Sequence, residues 1–487
     1  MNILGIILAY AANAYAALSG MSAERVDCEW VSQITPNTTV ECYDQFVHYN
    51  AKVASSAYRA RGQSNLKVAS FNVLYQGSKR SRFKDLSLMT EIMNDFDIIS
   101  VQEILNTDSK SEAHNDRLWK YYNETQDQEA LKHFDLPPAV LILNEMRKHD
   151  PSWALILSRK AKVDGRNDIE EVGFFYRGSM VKPVMNEHCA FGNRSKVESI
   201  ACAIRPTKTL IGRDVSQVFG RYPFIASFKS GNFDFAFLSS HIVFGSPSDE
   251  ELKTTILQQA FGVSTYEDLG VGVTSSTYAR WAEMKVVADF MKAYKKNYHE
   301  QDVIFAGDTN LEGRFPLWET IAKDAGGFEL EILDPTTISV NKYRRDVETN
   351  GLASNYDHFL VHPQDTKECD AKNSSVVYYH QGELARGLNS RYLVRGQSGT
   401  LTSVGKKKWK RAADKYEAMM GSLLTVRNNQ LTPMFSEEDI ALDLQIYEGR
   451  IFETQLQEST YYKLYQELIS DHFPIVMSCS RTQSDDD

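Results

Sequence analysis

Carboxylates, amides and imidazoles recur where short apolar runs of this chain begin or end. Asn72 stands in Phe71-Asn72-Val73, and Gln102-Glu103 follows Ser100-Val101. His241 follows Ser239-Ser240, and Asp308 and Asn310 lie in Gly307-Asp308-Thr309-Asn310. Tyr356-Asp357-His358 opens one run, and Ser470-Asp471-His472-Phe473-Pro474 opens the last. These are hard oxygen donors joined by histidines, drawn from distant parts of the chain. Such a set suits Mg²⁺, which takes one or two carboxylates, keeps several waters and accepts phosphate oxygens. Carboxylates alone repel a phosphate, and a divalent cation reverses that sign.

The elements that must carry these residues can be read from hydrophobic pattern. Runs rich in Val, Ile and Phe predict strands over Lys67–Leu74, Asp97–Val101, Trp153–Leu157, Val172–Tyr176, Phe224–Phe228, Phe233–Leu238, Val303–Ala306, His358–Val361 and Pro474–Ser478. A helix is predicted over Tyr278–Tyr294, with Trp281, Met284, Val287 and Met291 on one stripe, and another over Leu86–Met93. A helical pattern also runs from Tyr43 to Tyr58. Residues 375–469 differ from the rest, with few strand signals and long charged stretches that predict helices over Trp409–Leu424 and Glu437–Leu468. They read as a helical insertion, because strand and motif signals return at Ile469. The expected division is a leader over 1–16, an N-terminal segment over 17–63, a main domain over 64–480 carrying the insertion, and an acidic tail over 481–487.

Taken together and in this order, the Asn72 strand, Gln102-Glu103, Gly307-Asp308-Thr309-Asn310, Tyr356-Asp357 and Ser470-Asp471-His472 resemble the endonuclease/exonuclease/phosphatase superfamily and its deoxyribonuclease I-like branch. The resemblance covers about Leu66–Cys479 without the insertion. It implies an α/β fold, a four-layer α/β sandwich of two facing, mostly antiparallel sheets flanked by helices. It implies that Glu103 binds metal with Asn72 beside it, and that Asp471 adds to the metal and water network. Asp308 and Asn310 would hold the attacking water or the scissile phosphate. His472 would act as general acid/base or phosphate ligand, oriented by Asp357. An Asp–His pair also makes chemical sense by itself, since the carboxylate fixes the tautomer and raises basicity. His241 would protonate the leaving group, with Glu170 as its carboxylate partner, and Arg221 would contact phosphate. Mg²⁺ is the implied cofactor, with Ca²⁺ or Mn²⁺ as alternatives.

The whole chain constrains what such a site could act on. It has 487 residues, 42% apolar and 24% charged, which excludes collagen-like and wholly disordered chains. Its net charge of −10 argues against gripping long nucleic acid by counterion release over a broad surface. The dense basic run Lys406-Lys407-Lys408-Trp409-Lys410-Arg411 is either a solvated helix start or a phosphate contact. Residues 1–16 carry an apolar run from Ile3 and the small residues Ala14 and Ala16, the pattern of a secretory signal cleaved after Ala16, although no Lys or Arg precedes the run. A secreted or periplasmic protein without stable membrane insertion is expected. Six cysteines form no CxxC pair, so disulfides are favoured over structural zinc. Fifteen pairings exist. Nearest neighbours would join Cys28–Cys42, Cys189–Cys202 and Cys369–Cys479, and the resemblance implies a loop disulfide at the middle pair. The expected activity is metal-dependent phosphodiester hydrolysis on a DNA substrate. The alternative is a phospholipid or sphingomyelin phosphodiesterase, or a phosphoinositide phosphatase.

Overall fold

Phe233, Phe235 and Phe237 recur at every second residue, so in an extended chain they share one face. Each fully buried Phe contributes roughly 1.5–3 kcal/mol relative to exposure, which fixes which side of the strand turns inward. The computed structural model describes residues 28, 30–35, 38–51, 64–76, 83–105, 109–159, 170–190, 195–349, 351–380, 403–451 and 461–484. In it the Phe face meets Phe174 and Tyr176 of a second sheet. Ala236 and Leu238, on the other face, share a core with Trp281, Met284 and Val287 of the helix Tyr278–Asn297.

Among the described residues one sheet has eight strands, in the spatial order Thr38–Cys42, Phe46–Ala51, Trp153–Ser158, Glu170–Arg177, Ile98–Leu105, Asn65–Gln76, Ile475–Ser480 and Ser375–Val376. The other has seven, ordered Glu329–Glu331, Asp357–Val361, Val303–Asp308, Phe233–His241, Phe224–Ser230 and Lys182–Val184, with Ala201–Ala203 also paired to Phe224–Ser230. Neighbours are antiparallel except Asn65–Gln76 with Ile98–Leu105 and Phe233–His241 with Val303–Asp308, which are parallel. Leu66, Val68, Ile98 and Phe174 face Phe224, Phe237, Ile304 and Phe359 between the sheets. The outer face of the first sheet is covered by Leu86–Met93 and Pro138–Met146. The outer face of the second carries Glu250–Phe261, Tyr278–Asn297 and Leu317–Asp324. This is the four-layer α/β sandwich.

Several elements differ from expectation. The stretch Tyr43–Tyr58 is not helical where it is described; Phe46–Ala51 is a strand, paired through Val47 with Leu157 and through Phe46 with Ser158. Pairing partners on both sides outweigh local pattern there. That strand and Thr38–Cys42, both within the expected N-terminal segment, extend the main sheet. The insertion holds a hairpin, Leu424–Arg427 with Gln430–Pro433, besides the helices Ser403–Ser422, Glu437–Ile451 and Tyr461–Leu468. Its Tyr416, Met420, Ile440 and Tyr465 join the same core as Phe71 and Phe83. His114 is fully buried; its ring bonds Thr425 Oγ1 at 3.1 Å and the His133 carbonyl at 2.9 Å. His133 is buried as well. The leader falls outside the described residues. The basic run lies on Ser403–Ser422, and of its side chains only Lys410 is described.

The cysteines pair as Cys28–Cys42, Cys189–Cys202 and Cys369–Cys479. No helix among the described residues is long and apolar enough to cross a membrane.

Candidate active site

The alternation that buries the apolar residues also delivers the polar ones. His241 shares a face with Phe233, Phe235 and Phe237, and Asp308 shares one with Ile304 and Ala306. Asp357 lies in phase with Phe359 and Val361, Glu170 with Val172 and Phe174, and Asn72 with Leu66 and Val68. All five therefore emerge between the sheets where the strands end. Register aligns three of them: His241 is opposite Asp308, and Asp308 opposite Asp357. His358, out of phase, turns to the helix side and bonds the carbonyls of Leu311 and Ile332. Beneath the site, Gln102 Nε2 donates to Ser239 Oγ at 2.9 Å and ties one sheet to the other.

Glu103 breaks the alternation. Strict phase would place it with Ile99 and Val101, against the helices. Its φ is +58°, and the ladder is irregular on both sides, between Val101 and Ile104 and between Asn72 and Gln76. Such a bulge re-aims a side chain. Ile104 returns to the helix-side core, and Glu103 meets the site. One oxygen accepts from Asn72 Nδ2 at 2.9 Å and the other from the Tyr75 amide at 2.9 Å. Asn72 Nδ2 also donates to Asp308 Oδ2 at 2.9 Å, so one amide bridges two carboxylates from different sheets.

Two imidazoles flank Asp308. His241 Nδ1 lies 2.6 Å from Glu170 Oε2, and His472 Nδ1 lies 2.7 Å from Asp357 Oδ2. An ionised carboxylate only accepts, so each Nδ1 carries the proton. Each Nε2 then faces Asp308 Oδ2, at 3.5 Å from His241 and 3.6 Å from His472. Arg221 donates to Glu170 Oε1 at 2.6 Å and reaches the His241 carbonyl at 3.4 Å, so it braces the Glu170–His241 pair. Asn310, at φ +53°, donates its amide N–H to Asp308 Oδ1 at 2.9 Å and its side chain to the Ile242 carbonyl. Asp471 reaches His472 only at 4.0 Å, and its Oδ1 is buried without a hydrogen bond.

Burial and charge set the protonation pattern. Burial opposes the charge of His472, but Asp357 and Asp308 outweigh it and hold the ring well above its ordinary value. His241 is raised too, with burial overcome by its bond to Glu170 and by the charges of Glu170 and Asp308. Burial pushes Asp308 up to about 6 against the pull of both imidazoles. Burial likewise raises Asp471. Glu170 is lowered, because His241 and Arg221 overcome its burial.

Glu103, His241 and Asp308 each offer a ligand atom within 4.8 Å of the others. That group differs from the expected set of Glu103, Asn72 and Asp471 by taking in His241 and Asp308. The donor chemistry fits a hard cation, since carboxylate oxygens dominate and the Asp471 Oδ1 is unsatisfied. Two supporting residues were missed in the sequence. Arg280 bonds the carbonyls of Phe244 and Asn310 at 2.7 and 2.6 Å. Lys84 bonds the carbonyls of Val73 and Ile469. The signal for Arg280 was its phase, for it lies on the same apolar stripe as Met284, Val287 and Met291.

No protein-family model matches the chain, and no curated protein sequence matches it. Solved structures similar to it include an endonuclease/exonuclease/phosphatase family protein from Bacteroides thetaiotaomicron, with 15% identity over 85% of this chain and 97% of that one and a TM-score of 0.37. A mannosyl-6-phosphatase from the same organism shows 14% identity over 85% of this chain and 98% of that one, with a TM-score of 0.35. A D. rerio TDP2 bound to a single-stranded DNA product shows 14% identity over 66% and 93%, with a TM-score of 0.35. The first of these carries the family name that the motifs resemble.

Proposed function

We propose that the chain is a divalent-metal-dependent phosphoester hydrolase, and within that class a secreted, deoxyribonuclease I-like endonuclease that cuts DNA phosphodiester bonds. What supports the reading is the pair of carboxylate-backed imidazoles, His241–Glu170 and His472–Asp357, both turned toward Asp308. In-line displacement at phosphorus needs a proton removed from the attacking water and one given to the leaving oxygen. Two charged imidazoles flank one carboxylate that is free to accept a proton near neutral pH. In this reading Asp308 orients the water and takes its proton, His472, held charged by Asp357, binds the phosphoryl oxygens, and His241, held charged by Glu170, gives a proton to the leaving oxygen. Arg221 keeps Glu170 in place, and Asn310 fixes the turn that carries Asp308. Glu103, with Asn72 beside it, and Asp471 would hold Mg²⁺. When bound, that ion supplies electrostatic stabilisation of charge building on the phosphoryl oxygens.

The test is side-by-side turnover of plasmid DNA, RNA, sphingomyelin vesicles and an inositol polyphosphate, with and without EDTA. Nicking of plasmid that EDTA abolishes is expected, with its loss in Glu103→Ala and His472→Ala. Turnover of sphingomyelin or the inositol phosphate with DNA left intact would move the chain to the rival lipid or phosphoinositide class.

A further inference from the structure

Phe244 lies three residues beyond His241, and its side chain is 65% exposed. An exposed Phe is ordinary on a mobile loop, but this loop is pinned. Three successive residues in the first turn of Tyr278–Asn297 hold it. The Tyr278 hydroxyl donates to the Pro247 carbonyl at 2.8 Å, the Ala279 amide to Ser246 Oγ at 3.2 Å, and Arg280 Nε to the Phe244 carbonyl at 2.7 Å. The Arg280 guanidinium also lies 4.4 Å from the Phe244 ring centroid. Arg280 is itself 7% exposed, and it sits at the positive end of its helix, where a buried cation is unfavourable. Its bond to the Asn310 carbonyl, together with that to Phe244, couples the loop after His241 to the turn after Asp308.

Resting on the phosphodiesterase reading, we infer that the exposed face of the Phe244 ring is a stacking platform for a nucleobase of the substrate strand beside the scissile phosphate. A cation beneath one face leaves the other open to a planar ring. The ring is pre-positioned, so little ordering entropy opposes binding. The chain carries a net charge of −10 and therefore gains little from bulk attraction to phosphates, whereas base–aromatic stacking is independent of net charge. The residues that follow, Gly245, Ser246, Pro247, Ser248 and Asp249, are small or polar. A single ring among them suits one flat partner better than a lipid surface.

The experiment compares a short single-stranded DNA with an abasic oligonucleotide of the same length, using the full chain with Mg²⁺. The unaltered protein is expected to prefer the base-bearing strand. Phe244→Ala raises KM for that strand by about 5- to 150-fold, the span of one base–aromatic stack, keeps kcat, and drives the preference toward one. Phe244→Trp retains the preference, while Phe244→Leu, apolar but not planar, loses it. Cleavage by the unaltered protein with a preference indifferent to Phe244→Ala would overturn the platform alone. A defect in Phe244→Ala confined to sphingomyelin vesicles would overturn it in favour of a lipid contact. Failure of the unaltered protein to cleave either strand would overturn the DNA-cleaving reading on which it rests.

Discussion

Glu170 and Asp308 are the carboxylates whose titration governs the site. Glu170→Gln keeps the shape but removes the charge that holds His241 above its ordinary pKa. The alkaline limb of the pH–rate profile should then move to lower pH, and kcat/KM should fall by at least about tenfold, with the 10²–10⁴-fold typical of general acid–base catalysis as the ceiling. Burial pushes Asp308 up to about 6. Its ionised form stands within 4.8 Å of Glu103 and adds to the field that draws a cation there, so protons compete as pH falls through that value. Calorimetric titration with Mn²⁺ at several pH values should show affinity rising from pH 5 to pH 7 and levelling above it. The identities of these residues were legible because they close or open apolar runs. The direction of Glu103 was not. Period-two phase assigns it to the helix side, and only the bulge turns it inward. Arg280 was hidden for another reason: an arginine on a buried stripe shows its partners only when two distant loops are folded against it.

Strand packing makes a sharper demand at Gly307. A Cβ built there would stand 2.1 Å from the Ser240 carbonyl oxygen, a backbone atom of the neighbouring parallel strand that cannot rotate away. Gly307→Ala should therefore part the strands that carry His241 and Asp308. A fall in the thermal midpoint with loss of turnover is expected, while Gly326→Ala, at a position with nothing near its Cβ but a φ of +100°, should lose midpoint with turnover kept at lower temperature. Most strands of both sheets could be read from their Val, Ile and Phe runs. The strand Phe46–Ala51 could not, because its conformation is set by pairing with Thr38–Cys42 on one side and with Trp153–Ser158, a hundred residues onward in the chain, on the other. The short strands Lys182–Val184 and Glu329–Glu331 offer three residues each and too little pattern to be seen.

For the molecule as a whole, the Cys369–Cys479 disulfide spans a separation of 110 residues and encloses the insertion. Loops of about 100 residues gain on the order of 4–5 kcal/mol from closure. Replacing both cysteines with serine should cost about 2–5 kcal/mol in guanidinium unfolding. The insertion's helical character was legible in its charged stripes, but its docking was not. Tyr416, Ile440 and Tyr465 bury against the helix side of the first sheet, and amphipathic faces do not announce which layer will receive them.

His241, Asp308 and Asp357 form one row across three adjacent strands. Their mutual spacing is dictated by inter-strand distance, about 4.8 Å per strand, and owes nothing to the loops around them. The machinery and the rim are thus separable parts. Surface segments can be lengthened, swapped or redesigned to change which polymer is admitted, while the fixed lattice beneath keeps its reach.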